Sequence, residues 1–398
     1  MKKLLLSSSF ITIVVMGLNF LFKIYLSYHI SKEAIGLFWT CLDLISIGVM
    51  LFSGFKDSLV LAYDKANFHK IFYLYLLSFS LLSLCIALFE GVYFKFLHFQ
   101  YPLYLLILLL FANLLAVFFS YLNTAYKNYR VMLFENLIAT MSLLITFVLF
   151  HLFVSTIEAL FYAFLFSYIA KVFYIIRFSK MQYKIEKSTF LEGKDFFKNT
   201  FYSGVMYFFS GFFISMSGVI IMDLFQDTSI LAEYQVVVKS IFFSLVAVFV
   251  YPLNTFAFPQ ISKFIAEGRV SEVKRVEKTL SFYLLLFFII LLLGTFFTKY
   301  IIGFVFPIEY KKSYIMLNIL LPFLPFIAYT TFAMNIIKGF DRFDFALYIR
   351  VAGSVFFFIS IYLFYLLDFS AVCVVYSLDI SFITMFLMAL YFRRKVLL

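Results

Sequence analysis

Apolar residues run in blocks of about twenty along the whole chain, and polar residues collect in the short gaps between them. A block of that length crosses roughly 30 Å of hydrocarbon as a helix rising about 1.5 Å per residue. Twelve such blocks can be drawn. The first six span 5–28, 36–60, 71–94, 101–122, 131–152 and 157–177, and the second six span 201–225, 233–256, 280–305, 313–337, 344–367 and 370–391. None shows the two-residue alternation of a membrane β-barrel. The pattern therefore predicts an all-α polytopic membrane protein with about twelve transmembrane helices. Prolines at 252, 259, 307, 322 and 325 are expected to bend or end helices.

Two polar stretches exceed the other gaps. One, 178–199, carries Lys180, Lys184, Lys187, Lys194 and Lys198 and separates six blocks from six. It predicts an N-terminal six-helix bundle over 1–178, a basic linker over 179–199 and a C-terminal six-helix bundle over 200–398. The other, 260–279, alternates charges with Ile261, Phe264, Ile265, Val270, Val273 and Val276. That spacing predicts an amphipathic helix lying on the membrane surface. A gap-free shift of 196 residues sets Lys2 on Lys198, Ser7 on Ser203, Phe38 on Tyr234 and Asp43 on Lys239. Because six is even, such a duplication gives both halves the same topology, related by an axis along the membrane normal. It also predicts that Asp43 and Lys239 lie at equal heights and approach each other when the outer side closes.

Composition supports the membrane reading. Of 398 residues 65% are hydrophobic and 13% charged, too little polar surface to coat a soluble core. The net charge of +11 does not point to nucleic acid, because the cations sit beside the apolar blocks. With the N-terminus inside, 22 of the 32 Lys and Arg residues fall on the inner side and 5 on the outer. That bias predicts both termini in the cytoplasm. Met1-Lys2-Lys3 followed by apolar sequence to about Tyr28 reads as a retained first span rather than a signal peptide. Cys41, Cys85 and Cys373 are widely spaced in apolar blocks and read as buried, inert thiols. His29, His69, His98 and His151 are scattered near block ends with no metal-ligand spacing, so neither metal nor cofactor is expected.

A few charges fall inside the blocks: Lys23, Asp43, Lys239, Arg350 and Asp379. An ionisable group at membrane depth costs about 2.5–3.5 kcal/mol or more, and so faces a protein interior or a water-filled path. Asp43 and Lys239 read either as cavity residues or as a structural pair. Lys23, Arg350 and Lys171 lie near block ends, where snorkelling to the interface is the alternative to a site. Asp379 falls near the middle of the last block and reads either as a carboxylate binding a coupling proton or Na⁺, or as a helix contact. Lys56 and Asp57 beside Gly54 read as a local interfacial pair. No nucleophile elbow, phosphate loop or dinucleotide fingerprint is present, and the outer loops are too short for the catalytic groups of a glycan polymerase or ligase.

Several stretches resemble one family. They are Ser31-Lys32-Glu33-Ala34-Ile35-Gly36-Leu37-Phe38, Ala232-Glu233-Tyr234, Phe258-Pro259-Gln260-Ile261-Ser262, Ile302-Gly303-Phe304-Val305-Phe306-Pro307-Ile308-Glu309-Tyr310 and Leu320-Leu321-Pro322. Their order is similar to that of the polysaccharide-transporter branch of the MOP flippase superfamily, which includes the O-antigen flippases. Glu233 and Pro307 stand where that pattern has glycine, and Ser215 and Ser217 stand where relatives often carry a charged pair. The resemblance implies two six-helix bundles in a V around a cavity lined by spans one, two, seven and eight. It implies alternating access that moves a polyprenyl-pyrophosphate-linked oligosaccharide, an O-antigen or capsular repeat unit, to the outer leaflet of a bacterial inner membrane. Membrane lipids and other glycan-assembly membrane proteins are the partners it implies. A drug/cation antiporter of the same superfamily is the alternative, but it would be expected to carry an acid in span one, where this chain has Lys23.

Overall fold

The computed structural model of the chain describes residues 2–63, 68–96, 101–126, 128–179, 185–252, 261, 264–265, 267–340 and 342–397. All regular structure in the described residues is helical, and twelve segments are long and apolar enough to cross a membrane. The helices are α1 (Lys2–His29), α2 (Lys32–Met50), α3 (Ser53–Tyr63), α4 (Phe68–Phe96), α5 (Leu103–Ala125), α6 (Tyr129–His151), α7 (Thr156–Phe178), α8 (Lys194–Asp223), α9 (Thr228–Ala232) and α10 (Lys239–Pro252). After these come α11 (Val270–Val305), α12 (Tyr314–Leu320), α13 (Leu324–Gly339), α14 (Phe343–Leu366) and α15 (Cys373–Leu397). A π-helical stretch, Glu233–Val238, joins α9 to α10, and 3₁₀ turns at Ile308–Ser313 and Leu321–Phe323 flank α12. The chain forms two compact units, one of Met1–Ile30 with Thr40–Gly211 and one of Ser31–Trp39 with Phe212–Leu398. Helices α2 and α8 each contribute to both.

In the first unit, α6 packs along α7, α5 along α7, and α3 against α4 and α5. Helix α7 starts where it does because Ser155 and Glu158 form a capping box, each satisfying a backbone N–H at the helix start. The second apolar block, expected to run unbroken over 36–60, instead breaks at Leu51–Phe52. There the N–H groups of Leu51, Phe52 and Phe55 bond three residues back, to Gly48, Val49 and Phe52. The break is seated in an aromatic cluster: Phe52 lies 4.3 Å from Phe79, Phe55 lies 5.4 Å from Tyr75, and Tyr75 stacks on Phe118 at 4.8 Å. Of the pair expected beside Gly54, Lys56 is exposed on α3, and the side chain of Asp57 lies outside the described residues.

The linker is tied back to α4 by one carboxylate. Glu192 accepts from Ser188 Oγ at 2.7 Å, pairs with Lys70 Nζ at 3.2 Å and accepts from the Thr189 N–H at 3.3 Å. These donors, Ser188 first, hold its carboxyl below the ordinary carboxylate range.

In the second unit α14 packs along α15, α13 against α15, and α11 against α13. Pro322 and Pro325 sit at the break between α12 and α13, as proline without an N–H demands. Within the stretch 260–279, the described apolar residues are covered by protein. From Val270 on it is the first part of the 36-residue α11, and its apolar residues turn inward. Ile261 and Val273 form a core with Phe332 and Ile336 of α13, and Phe264, Ile265 and Val276 pack around it. The periodicity was that of an amphipathic helix, but protein rather than lipid covers the apolar face. Cys41 and Cys373 are buried as expected, whereas Cys85 is exposed on α4.

Gly54 allows α3 to touch α8 within the first unit. A Cβ there would lie 2.0 Å from the Thr200 carbonyl oxygen and 2.6 Å from the Gly204 nitrogen, whereas a Cβ on Gly204 would first meet an atom at 3.6 Å. Helix propensity alone favours alanine over glycine by about 1 kcal/mol. We expect Gly54→Ala nonetheless to destabilise the protein by about 1–3 kcal/mol, and Gly204→Ala to leave stability unchanged or raise it. Thermal unfolding of both variants in detergent checks this; equal melting temperatures would refute the contact.

Candidate functional site

Charge in the spans is organised around carboxylates. The buried acids among the described residues are Glu90, Glu135, Glu233, Glu277 and Asp379. Three of them have a cation, as the low dielectric demands.

Glu233 is met by Lys32. The ammonium of Lys32 lies 2.7 Å from Glu233 Oε1, donates to Ser229 Oγ at 2.9 Å and to the Glu309 carbonyl at 3.1 Å, and stands 5.6 Å from the Tyr310 ring. Gly36, one turn along α2, lies so close to Ala232 that a Cβ would sit 3.0 Å from its backbone. Three of the stretches that carry the sequence resemblance thus converge within the second unit: 31–38, 232–234 and 302–310. The glutamate standing where the pattern has glycine is the acid that Lys32 needs. The π-helical stretch begins at this glutamate, and all six of its residues are buried. Stretches of this kind inside an α-helix often mark functional sites. The fourth stretch, Phe258 to Ser262, lies outside the described residues except for Ile261.

Glu135 anchors the first unit. Lys171 Nζ lies 3.3 Å from Glu135 Oε1 and donates to Asn136 Oδ1 at 2.9 Å. Ser120 Oγ donates to Glu135 at 2.6 Å, Asn123 Nδ2 donates to it at 3.3 Å, and Ser179 Oγ donates to Asn123 at 2.9 Å. Lys171 therefore does not snorkel; it closes a network across α5, α6 and α7. Glu277 at the start of α11 accepts from Tyr329 Oη at 2.5 Å and pairs with Arg393 of α15.

Glu90 and Asp379 differ from these three. Glu90 is 6% exposed, and its Oε2 has no partner; its other oxygen lies against α2, where a Cβ on Gly48 would come within 2.1 Å of it. Asp379 is 5% exposed with Oδ1 unpartnered. Helix α15 begins at Cys373, so Asp379 is in its second turn.

The other expected site residues are distributed as follows. Lys23 lies on α1 and Asp43 on α2 of the first unit, both half-buried. Lys239, also half-buried, opens α10 of the second unit. Asp43 lies eleven residues beyond the start of α2 at Lys32, and Lys239 eleven beyond the start of α9 at Thr228. Those two starts are 196 residues apart, the offset of the sequence diagonal. Arg350 lies two turns into α14 with its guanidinium against α15, Nη1 being 3.8 Å from Met385 Sδ and Nε buried without a partner.

Sequence reasoning passed over Glu90 and Glu135, although both stand inside drawn blocks. A search of the blocks for acids alone finds them. It passed over the pairing of Lys32 because that residue falls in a gap.

Breaking the Lys171–Glu135 pair from one side tests its weight. Lys171→Ala leaves a buried carboxylate without its cation, and we expect a loss of about 3 kcal/mol or more. Replacing both partners, Glu135→Gln with Lys171→Met, should recover most of it. Equal destabilisation of the single and double variants in detergent unfolding would show that the pair carries no such load.

No family model matches the chain, and no curated protein matches it. Solved structures do. An inward closed conformation of the lipid II flippase MurJ is similar at 16% identity and a TM-score of 0.75, over 96% of this chain and 86% of that one. An inward-facing MATE multidrug resistance transporter of the MOP superfamily is similar at 13% identity and a TM-score of 0.71, over 96% and 94%. A MOP superfamily transporter from Pyrococcus furiosus, described as having a binding pocket of reverse polarity that suggests a different function, is similar at 14% identity and a TM-score of 0.63, over 99% and 96%. At these identities the likeness is one of fold. The chain has the all-helical, twelve-span fold of the MOP-superfamily transporters.

Proposed function

We propose that this chain is a flippase that moves a polyprenyl-pyrophosphate-linked oligosaccharide, an O-antigen or capsular repeat unit, from the inner to the outer leaflet by alternating access. The observation that carries the reading is the fold, similar to that of a lipid II flippase and of multidrug transporters, combined with Lys23 and Lys239 inside helices that would bind cargo. Helix α1 carries Lys23, and Lys239 stands about 16 Å into its span. Arg350 adds a buried guanidinium with an unpartnered nitrogen. Cations in a low-dielectric setting suit a pyrophosphate or acidic sugars. Lys239, Lys23 and Arg350 are accordingly the substrate-binding candidates, with Asp43 as the acid that keeps the cationic field local. The bias of Lys and Arg along the chain supports a bacterial cytoplasmic membrane with both termini inside.

The likeness to MATE transporters supports a second reading, a drug/cation antiporter. The Pyrococcus furiosus transporter offers a precedent for separating the two by pocket polarity. Lys23 favours the anionic cargo.

Reconstituted protein decides between them. With a fluorescent polyprenyl-pyrophosphate oligosaccharide in proteoliposomes, the wild type should expose the label to external quencher. Lys239→Ala should slow this by about 10- to 100-fold, the worth of a charge-assisted hydrogen bond, and Lys239→Arg should retain much of the rate. Full activity in Lys239→Ala would remove that residue from the site. Transport of organic cations but not of the labelled lipid would favour the antiporter.

A further inference from the structure

The span that carries Lys239 contains one extra residue. The Lys239 N–H reaches the Tyr234 carbonyl, five residues back, and Ser240 Oγ donates to the Gln235 carbonyl, again five back, at 3.3 Å. These bonds close the π turn Glu233–Val238. Such a turn is an α-turn with one residue inserted, and each residue advances an α-helix by about 100° and about 1.5 Å. Rewound as a continuous α-helix, the span would put every residue beyond the turn in the place its successor now holds. The burial pattern shows what that would do. Lys239, Ile241 and Phe243 are half-buried, whereas Ser240 is 9% exposed and Phe242 1%. Lys239 would take the buried place of Ser240, and Ile241 that of Phe242.

The α-helical turn is the commoner form, so something must hold the wider one. Its first residue is held. Glu233 is fixed by the Lys32 ammonium, which is fixed in turn by Ser229 Oγ and the Glu309 carbonyl. The residue before it is held as well, because Gly36 of α2 lies against the backbone of Ala232. All these groups belong to the second unit. We propose that Lys32 and Glu233 are positioning residues for Lys239: their pair holds the π turn, and the turn sets the direction in which that lysine points. The consequence for transport rests on the flippase reading of Lys239, whereas the register of the helix does not.

Thiol accessibility reads the register directly. Lys239→Cys, Ser240→Cys, Ile241→Cys and Phe242→Cys are made singly in the full chain carrying Cys41→Ala, Cys85→Ala and Cys373→Ala, and each protein is treated in nanodiscs with a charged methanethiosulfonate. With Lys32 and Glu233 in place, positions 239 and 241 should react and 240 and 242 should be protected. Lys32→Met with Glu233→Gln removes the pair without leaving a lone buried charge, so the fold is kept. Protection should then move to 239 and 241, with rates changing by about tenfold or more, because thiol reactivity follows exposure. Lys32→Arg, which keeps the pair, should leave protection at 240 and 242. An unmoved pattern in the double variant overturns the proposal. So do equal rates at all four positions, which mean a loosened helix rather than a shifted one, and so does protection of 239 while the pair is intact. The labelled-lipid assay on Lys32→Met with Glu233→Gln, with Lys239 present, separates the two readings. Slowing by about 10- to 100-fold, as for Lys239→Ala, supports both. A shifted register with an unchanged rate upholds the positioning and removes Lys239 from the cargo site.

Discussion

Hydrocarbon offers a buried charge no partner, and this constraint orders the chain more than any other. Each of these buried carboxylates that has a cation finds it on another helix, across a helix interface. Lys32 reaches 201 residues ahead to Glu233, and Arg393 reaches 116 residues back to Glu277. Lys171 and Glu135 join the two helices of a hairpin and recruit a third through Ser120 and Asn123. Apolar packing between helices tolerates sliding. These pairs do not, and so they set the register in which the helices meet.

The same constraint explains where helices break. A break exposes backbone groups that must be satisfied inside the protein. At Leu51–Phe52 the freed groups are taken up by bonds three residues back, and an aromatic cluster fills the space the bend opens. At Leu321–Phe323 proline supplies the break by lacking an N–H. At Glu233–Val238 the helix is widened instead of broken, and the residue that opens the widened turn is the one held by Lys32. Each interruption is tied down on one side, which makes it a defined joint in the helix.

The sequence made the coarse structure legible because twelve apolar blocks admit one class of solution in a membrane. The prolines at 322 and 325 were read correctly, since their effect is local. What it hid depended on partners. Nothing local distinguishes the 260–279 stretch packed on Phe332 and Ile336 from one lying on lipid, because both need the same period. The break in the second block has no proline, and the aromatic cluster that seats it is assembled from residues of other helices, which only the fold reveals. Lys171 looked like a snorkelling residue because Glu135, thirty-six residues away, was not counted as a charge in a span.

The two carboxylates that lack a cation stand apart from the paired acids. Glu90 is packed against the backbone of α2, and the glycine at 48 makes room for it. That contact makes the acid part of the packing between α2 and α4. Asp379 is no more exposed, yet an apolar cleft of the second unit lies beside it. With no cation beside them, these two carboxyls bear the cost of leaving water alone. Equal burial therefore comes with different surroundings, the backbone of a neighbouring helix at Glu90 and an apolar cleft at Asp379, whereas the three paired acids each tie one helix to another.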